Sequence, residues 1–378
     1  MPRTNFEKPI DFTGENIFVG LDVHKSSWSV SLRCNGVLLK GFSQEPNVEQ
    51  LVRTLKSTYP GAAFHSAYEA GFCGTSIHER LTEQGVNNII VHAADIPQTD
   101  KQRKTKTDLH DSRTIAECLE RGILKGIHVL PREQQELRSL FRLRMTMVKE
   151  VTRANNRLKS LLFYFGIEIP KEAASHNGRI ILKTLKWLDN LELATAAGTM
   201  TLRHRIEELR TQRKKLLDVT RELRQQVFAT HRRTYEVLTS VPGIGGVTAM
   251  ALICEIGDFS RFKDPDEFCS FLGLCPWEQS SGETIRTLGV QPRCNRYLRP
   301  LIIEAAWVAI RNSPALLAYY SKFKKIDSKK AIIKVARKLS LIAKGVVKTG
   351  FEYQDGYRPV MQQKTSKRKT RERFSLGI

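Results

Sequence analysis

Long apolar runs are absent from this sequence of 378 residues. No stretch of about 18 apolar residues occurs, which argues against a membrane-spanning helix. The opening segment, MPRTNFEKPIDFTGEN, also lacks the apolar core of a signal peptide. We therefore expect a soluble protein of the cytoplasm with no membrane partner.

Cysteine pairs and phosphate-binding loops at functional spacing are also missing. The seven cysteines are scattered, odd in number and never spaced C-x-x-C, so neither a disulfide framework nor a zinc site is expected. The histidines show no metal-ligand spacing. No G-x-x-x-x-G-K-S/T loop occurs, and the sequence therefore indicates no ATP site of the P-loop kind.

Acidic residues are few relative to basic ones. The chain has 61 Lys and Arg against 39 Asp and Glu, which gives a formal net charge of +22 and an isoelectric point near 9.8. Such an excess is typical of proteins that bind polyanions, and nucleic acid is the leading candidate. The apolar fraction of 41% is ordinary, and the length suits two or three domains.

The N-terminal third has the pattern of an α/β domain. Short β-rich runs between Asn16 and Gln44, separated by turn signals, predict a three-strand meander. The segments that follow are a helix at Val48–Tyr59, a strand ending at Glu69, a helix at Thr75–Gln84 and a strand at Asn88–His92. Three strands followed by alternating helices and strands suggest a ribonuclease-H-like α/β domain.

Residues beyond Pro131 have a helical character. Long basic helical patterns cover Glu133–Phe165 and Thr201–Thr239. The second pattern has leucines seven residues apart, at Leu202, Leu209, Leu216 and Leu223. Arg213 and Thr220 interrupt this seam, which favours an antiparallel helical hairpin or a modest dimer contact over a long coiled coil.

The predicted fold class is α/β plus all-α, in four segments. A ribonuclease-H-like domain covers residues 15–130, a coiled-coil-like helical spacer covers 131–235, and a mostly helical C-terminal domain covers 236–350. The last segment, 351–378, is polar and contains the basic run KTSKRKTRER. We expect this tail to be disordered.

Four carboxylates fall at the ends of predicted elements. Asp22 ends the strand IFVGLD on the face opposite its apolar residues, and Glu69 follows the run AAFHSAY. Asp108 and Asp111 lie three residues apart at the start of a helix and therefore share a face. Two hard cations such as Mg²⁺ or Mn²⁺, held by these oxygens, can stabilise the attacking and leaving oxygens of phosphoryl transfer. As alternatives, Asp108 is a helix cap, Asp111 complements the helix dipole, and Glu69 is a solvated loop carboxylate.

Six sequence segments carry a family resemblance that covers nearly the whole chain. GLDVHK, YEAG and KTDLHDSRTIAE resemble the DEDD (RuvC-like) domain of a bacterial insertion-element transposase family, whose members are bridge-RNA-guided recombinases. SVPGIGGVTAMALICEIGDFSRF, FCSFLGLCPWEQSSG and YLRPLIIEAAW are similar to the second domain of that family. In that domain a serine just before a glycine attacks a DNA phosphate, and Ser281 occupies this position.

This resemblance implies a mechanism and a set of partners. Ser281 acts as the nucleophile, and Asp22, Glu69, Asp108 and Asp111 bind the metal. A phosphoserine link conserves bond energy, so strand exchange needs no ATP. The resemblance further implies double-stranded DNA substrates, an element-encoded guide RNA, and a nucleoid-associated homodimer or homotetramer. In that assembly the carboxylates of one subunit complete a site with the serine of another.

The segment around Ser281 has a simpler interpretation. Gln279-Ser280-Ser281-Gly282 fits an ordinary polar turn, and Ser280 is an adjacent rival nucleophile. The family usually has a glycine before the asparagine of the next segment, whereas Cys294 precedes Asn295 here. The local loop therefore departs from the family pattern.

Glycines of one turn and two groups of arginines are candidate nucleic-acid contacts. The Pro-Gly-Ile-Gly turn resembles a helix-hairpin-helix module, whose backbone N–H groups can bind a phosphate. The arginines recur at helical spacing and suit a phosphate backbone or A-form RNA. The candidates are Gly243 and Gly245, Arg293, Arg296 and Arg299, and Arg142, Arg153 and Arg157. A plain turn and solvated surface side chains are the alternatives.

The sequence thus predicts a DNA transposase that cuts and rejoins DNA through a serine–phosphate intermediate, with Mg²⁺ or Mn²⁺ and a guide RNA. One alternative is a metal-dependent RuvC-like junction nuclease in which Ser281 is a loop residue. Another is a catalytically silent nucleic-acid-binding protein whose carboxylates only cap helices.

Overall fold

The computed structural model describes residues 11–97, 108–175, 178–281, 284–325 and 327–355, without the side chains of 108–109, 278–281 and 284–288. The chain forms two compact units, Met1–Leu130 and Pro131–Ile378. The first is α/β and the second is largely helical, which confirms the predicted combination of classes. The predicted tail is described only as far as residue 355, and the rest of it lies outside the described residues.

A five-stranded sheet forms the centre of the first unit. Its strands are β1 (Asn16–Val23), β2 (Trp28–Cys34), β3 (Val37–Gln44), β4 (Ala63–Glu69) and β5 (Asn87–Val91), in the order β3-β2-β1-β4-β5. The first three strands pair antiparallel as a meander, whereas β4 is parallel to β1 and β5 is parallel to β4. The helices of the unit are α1 (Val48–Thr58), α2 (Ser76–Glu83) and α3 (Asp108–Glu120).

The side chains of β1 alternate between the two faces of the sheet. Val19 and Leu21 are fully buried in a core that includes residues of α1 and α2. Gly20 faces α3 on the other side: a Cβ added to it would lie 2.0 Å from the carbonyl oxygen of Ser112 and 2.5 Å from the backbone nitrogen of Ala116. Only glycine permits this close approach of helix to strand.

Helix α3 runs antiparallel to β1. Near its N-terminus, the hydroxyl oxygen of Ser112 lies 2.8 Å from that of Ser31 in β2. At the C-terminus of α3, Glu120 accepts a 2.7 Å hydrogen bond from Nε of Arg33. Ser31 pairs with Gly20 of β1, whereas Arg33 pairs with Phe18, which is closer to the N-terminal end of that strand. The first turn of α3 therefore lies toward the carboxyl end of β1.

Eight helices and one β-hairpin make up the described part of the second unit. The helices are α4 (Arg132–Tyr164), α5 (Leu182–Asp189), α6 (Ala196–Thr239), α7 (Gly246–Ile256), α8 (Pro265–Leu272), α9 (Leu298–Asn312), α10 (Pro314–Lys324) and α11 (Ser328–Thr349). In the described ranges no single helix has both the length and the apolar character to span a membrane. Only α9 and α10 taken together reach that threshold, by length and composition, and they are bent by 109°.

Helices α4 and α6 form an antiparallel hairpin, one of the two arrangements that the heptad pattern favours. Arg157 of α4 pairs with Glu208 near the start of α6, and Arg144 donates from Nε to the hydroxyl of Thr220 at 3.2 Å. Among the heptad leucines, those at 202, 209 and 223 are fully buried, whereas Leu216 is half-buried. The interruption of the seam at Thr220 is thus the point at which a polar contact joins the two helices.

One hydrophobic core is shared by α4, the end of α6 and the later helices. It includes Phe141 of α4, Leu223 of α6, Met250 of α7, Ile302 of α9 and Val335 of α11. A smaller core holds α5 against α4 and the start of α6. Because α6 crosses residue 235, the division into a spacer and a C-terminal domain at that position stays a prediction.

The β-hairpin consists of β6 (Pro276–Ser281) and β7 (Thr284–Val290). Ser280 pairs with Ile285 and Ser281 with Thr284 across it. The alternative to a catalytic role for this segment, a polar turn in a mostly helical domain, does not include these two strands. The β-branched residues of Thr-Ile-Arg-Thr after a Ser-Gly turn signal are the pattern that indicates such a hairpin.

Candidate active site

Asp22 is the second-last residue of β1 and Glu69 the last residue of the neighbouring parallel strand β4, and both lie on the same face of the sheet. The register pairs Leu21 of β1 with Tyr68 of β4, so the two carboxylates come one residue later at adjacent positions. Both lie on the face covered by α3, because each is two residues beyond a residue that faces that helix. These two residues are Gly20, and Ala67, which packs with α3 in a small apolar cluster. Neighbouring strands are about 4.8 Å apart, which places the two side chains within reach of one ligand.

Helix α3 carries the other two predicted carboxylates toward this edge of the sheet. Asp108 is its first residue and Asp111 follows three residues later. Since α3 is antiparallel to β1, its first turn is directed to the carboxyl ends of β1 and β4. The topology therefore brings Asp22, Glu69, Asp108 and Asp111 to one edge, although the side chain of Asp108 lies outside the described ones.

Donor chemistry at this edge suits a divalent cation, whereas the side-chain positions do not form a closed site. Among the described side chains, no three from Asp, Glu, His and Cys come together as a metal-ligating group. The Asp22 side chain is 20% exposed, and Glu69 is exposed. Carboxylate oxygens remain the ligands that hard divalent cations prefer, and the edge offers four of them.

His24 was not among the predicted site residues. Its Nε2 lies 3.2 Å from Oδ2 of Asp22, so the imidazole contacts a proposed metal ligand directly. The signal for it is the Asp-Val-His spacing in the motif GLDVHK, because residues two apart in an extended segment point to the same side.

Ser281 is the last residue of β6 and is followed by a turn at 282–283 that lies outside the described residues. Ser281 pairs with Thr284, and this is the last pair of the hairpin before the turn. The polar turn predicted for this sequence therefore begins directly after Ser281, and its role as a nucleophile stays a prediction.

Arg142 makes structural contacts within the second unit. It forms a two-pronged ion pair with the buried Glu255 of α7, from Nε at 2.7 Å and from a terminal nitrogen at 2.8 Å. Asn295 donates to the same carboxylate at 2.8 Å, and the Arg142 guanidinium lies 4.9 Å from the ring centroid of Tyr297. Sequence reasoning missed Glu255, since nothing local distinguishes a buried glutamate in an apolar helix.

Arg153 and Arg157 lie on an open groove between α4 and α6. The groove has a volume of about 610 Å³ and is also lined by Tyr164 and Arg205. Each of the two predicted arginines is paired with a glutamate, Arg153 with Glu150 and Arg157 with Glu208. Their positive charge is therefore partly balanced within the protein.

The three arginines near α9 do not share one helical face, contrary to the sequence-based expectation. Arg293 and Arg296 precede α9, which begins at Leu298, and both are exposed. Arg299 lies within the helix and donates to the carbonyl of Gln291. The side chain of Asn295 caps the turn that leads into this helix, accepting hydrogen bonds from the backbone nitrogens of residues 297 and 298 at 3.0 Å.

The two glycines of the predicted phosphate-binding turn have different environments. Gly243 has φ of +85° and lies against α9, where an added Cβ would come 2.2 Å from the carbonyl oxygen of Ala305. Gly245 is exposed at the N-terminus of α7, with no side-chain cap on that helix. Close packing against α9 therefore explains the glycine at position 243, whereas Gly245 lies at an accessible helix N-terminus.

Comparisons with known proteins match both halves of this architecture. A transposase domain model of the DEDD type named for IS110 matches residues 19–165, and the model described as "Transposase IS116/IS110/IS902 family" matches residues 235–321. The first match contains all four carboxylates, and the second contains Ser281.

Several insertion-element proteins are similar over most of the chain. The transposase for insertion sequence element IS1533 of Leptospira borgpetersenii is 25% identical over 304 residues, which cover 77% of this chain and 84% of the relative. The IS116 44.8 kDa protein of Streptomyces clavuligerus is 25% identical over 355 residues, or 82% and 88%. The transposase for IS1111A of Coxiella burnetii is 26% identical over 218 residues, and the match spans little more than half of either chain, 56%.

The α/β unit with its acidic edge and the two matched models define a transposase, an enzyme class that acts on DNA. The chain is similar to the IS116/IS110/IS902 family of insertion-element transposases over both matched ranges. A DEDD transposase domain also indicates the use of divalent metal ions.

Proposed function

We propose that this transposase cuts double-stranded DNA at the ends of a mobile insertion element and rejoins it through a covalent link to Ser281. The observation that carries the proposal is the acidic edge of the sheet. Asp22 and Glu69 lie at the carboxyl ends of adjacent parallel strands, within one residue of the strand end, and the first turn of α3, with Asp108 and Asp111, is directed to the same edge. Four carboxylates concentrated at one edge repel one another, which favours a site that needs cations to be complete.

Asp22, Glu69, Asp108 and Asp111 would hold Mg²⁺ or Mn²⁺. When bound, such ions supply positive charge that stabilises the oxygens of a phosphate undergoing displacement. His24 contacts Oδ2 of Asp22 and orients that carboxylate. We also propose that this unit is ribonuclease-H-like, which its strand order supports.

Ser281 supplies the covalent step in this proposal. Its hydroxyl loses a proton as its oxygen attacks phosphorus, and one bond from phosphorus to a deoxyribose oxygen breaks. The number of phosphate ester bonds is unchanged, so the reverse attack by a DNA hydroxyl rejoins strands without an energy source. The absence of a P-loop in the sequence agrees with this chemistry.

A guide RNA and a homodimeric or homotetrameric assembly belong to the same proposal. The net charge of +22 supports a nucleic-acid partner, and the arginine-lined groove between α4 and α6 offers a surface for one. The RNA rests on the family resemblance alone.

The test is to trap DNA on the protein. The wild-type protein is incubated with Mg²⁺, with labelled DNA that spans the element junction and with RNA transcribed from the flanks of the element. The mixture is then denatured. We expect protein-linked DNA with wild type and with Ser280→Ala, and none with Ser281→Ala, Asp111→Asn or a chelator present.

Two other results would select the alternatives. DNA cleavage without an adduct, retained in Ser281→Ala, would indicate a metal-dependent nuclease. The other result is DNA binding that neither the chelator nor Asp111→Asn changes, with no cleavage of a substrate that a related active transposase cuts. It would indicate a nucleic-acid-binding protein without catalytic activity.

A further inference from the structure

The helical hairpin formed by α10 and α11 concentrates positive charge. Residues 314–349 contain ten Lys and Arg but a single acidic residue, Asp327. Two of the ten have structural roles: Arg337 pairs with Asp266, and Lys344 donates to the carbonyl oxygen of Phe262 at 3.0 Å. The other eight are exposed lysines. They are Lys322, Lys324, Lys325, Lys329, Lys330, Lys334, Lys338 and Lys348.

This hairpin is held firmly in place by its inner face. Val335 and Leu339 of α11 are fully buried in the main core of the unit. On the outer face, Nζ of Lys334 lies 3.7 Å from the ring centroid of Phe323, and Nζ of Lys338 lies 4.5 Å from that of Tyr319. Because the later lysine meets the earlier aromatic residue, α10 and α11 are antiparallel, and the lysines form a fixed surface.

Among the residues that the structure describes, no carboxylate side chain forms an ion pair with these lysines. Asp327 caps α11, and one of its oxygens accepts from the backbone nitrogens of Lys329 and Lys330 at 2.8 and 3.1 Å. Lys330, Lys334 and Lys338 are spaced by four residues on one helix face, where like charges repel. A solvated helix face ordinarily mixes both signs.

We propose that this lysine hairpin binds the phosphate backbone of duplex DNA without sequence preference. The inference rests on the proposed function, and it adds a surface that both matched family models leave out, since the second ends at residue 321. The row from Lys330 to Lys338 spans about 12 Å at 1.5 Å per residue. Each strand of duplex DNA carries one phosphate per about 3.4 Å of helix axis, so a row of this length can contact more than one phosphate.

The chemistry of the surface favours a duplex over unpaired strands. Single strands are bound by aromatic faces on which bases stack, and here Lys334 and Lys338 cover the rings of Phe323 and Tyr319. Lysine ammonium groups are point charges without the planar fork that reads base edges. Such a surface positions DNA and leaves recognition of sequence to other contacts.

The test is the salt dependence of duplex binding by the full-length protein. Fluorescence anisotropy of a labelled duplex of arbitrary sequence is measured over a series of KCl concentrations for wild type and K322Q/K325Q/K329Q/K330Q. Each lost phosphate contact lowers the magnitude of the slope of log K against log salt by about 0.9, so the loss of four contacts should lower it by about 3.6. Affinity at about 0.1 M salt should fall at least tenfold.

Matched variants separate a local contact from a general charge effect. K183Q/K186Q/K214Q/K215Q removes the same charge from exposed lysines of α5 and α6 and should leave the slope near that of wild type. K322R/K325R/K329R/K330R keeps the charge and should also retain the slope, and it shows that the site tolerates substitution. An equal loss in the two glutamine variants would overturn the proposal.

Two further outcomes are distinguishable. An unchanged slope in the hairpin variant, with wild type binding DNA normally, overturns the lysine hairpin and leaves the transposase proposal intact. Failure of wild type itself to bind duplex DNA overturns both. Loss of binding to an RNA duplex but not to DNA would assign the surface to RNA and would also overturn the proposal.

Discussion

Arg142 of α4 and Glu255 of α7 are joined by two parallel hydrogen bonds, of 2.7 and 2.8 Å, and the Glu255 side chain is only 1% exposed. The hydrogen bonds that Arg142 donates to the Glu255 carboxylate raise the pKa of Arg142. Asn295, which caps the turn that leads into α9, donates to the same carboxylate. A single buried charge thus connects α4, α7 and the start of α9, near which the candidate nucleic-acid-binding residues Arg293, Arg296 and Arg299 lie.

Removing this guanidinium should destabilise the second unit. In Arg142→Met the Glu255 carboxylate stays buried with one neutral donor, which costs about 3 kcal/mol in the free energy of unfolding. Urea unfolding followed by tryptophan fluorescence measures it. Arg153→Met, at an exposed ion pair on the same helix, should cost less than about 1 kcal/mol. If the two variants were equally stable, Glu255 would not depend on Arg142.

Gly243 and Gly245 offer a matched pair for the turn between α6 and α7. Gly243→Ala places a Cβ against the backbone of α9 at φ of +85° and should cost about 2–4 kcal/mol. An added Cβ at Gly245 meets nothing within 4 Å, and Gly245→Ala should cost about 1 kcal/mol or less. Thermal unfolding monitored by circular dichroism compares them. Equal melting temperatures would contradict the close packing of this turn on α9.

Periodicity in the sequence predicts the elements whose burial repeats locally. The strands of the meander, the helices of the α/β unit and the α4–α6 hairpin all follow from runs of alternating or heptad-spaced apolar residues. The strand-end positions of Asp22 and Glu69 were predictable for the same reason. The direction of α3, which brings Asp111 toward them, was not, because it depends on the contact of Gly20 with Ser112, distant in sequence.

Long-range polar contacts set the limits of prediction in the second unit. Glu255 lies in an apolar helix and pairs with residues 113 and 40 positions away, so no local pattern identifies its partners. The β6–β7 hairpin did have a local pattern, a Ser-Gly turn before β-branched residues, which the surrounding helical sequence obscured. Arg299 is three residues from Arg296, as on a helix face, but its guanidinium donates a hydrogen bond to the carbonyl oxygen of Gln291. This contact depends on the folded loop before the helix.

Leu209 tests whether the α4–α6 hairpin depends on its seam. It is fully buried, and Leu209→Ala should cost about 2–5 kcal/mol through lost apolar burial and the cavity left behind. Leu217 lies on the same helix and is exposed, so Leu217→Ala should change stability by less than about 1 kcal/mol. Urea unfolding of both variants provides the comparison. A small effect at Leu209 would show that this part of the hairpin adds little to the core.

Glu208 should give the hairpin a dependence on acid. Hydrogen bonds from Arg205 and then from Arg157 lower the pKa of this carboxyl, so the folded state binds its proton less readily than the unfolded chain does. Its contribution is therefore complete above the ordinary glutamate pKa of about 4.3 and is lost as the pH falls through the lower folded value. Glu208→Gln should melt below wild type at neutral pH, and the difference should shrink below about pH 4. Glu207→Gln, at the neighbouring exposed carboxyl, is the control. A difference in melting temperature that stayed constant from pH 7 to pH 3 would show that the charge of Glu208 does not contribute to stability.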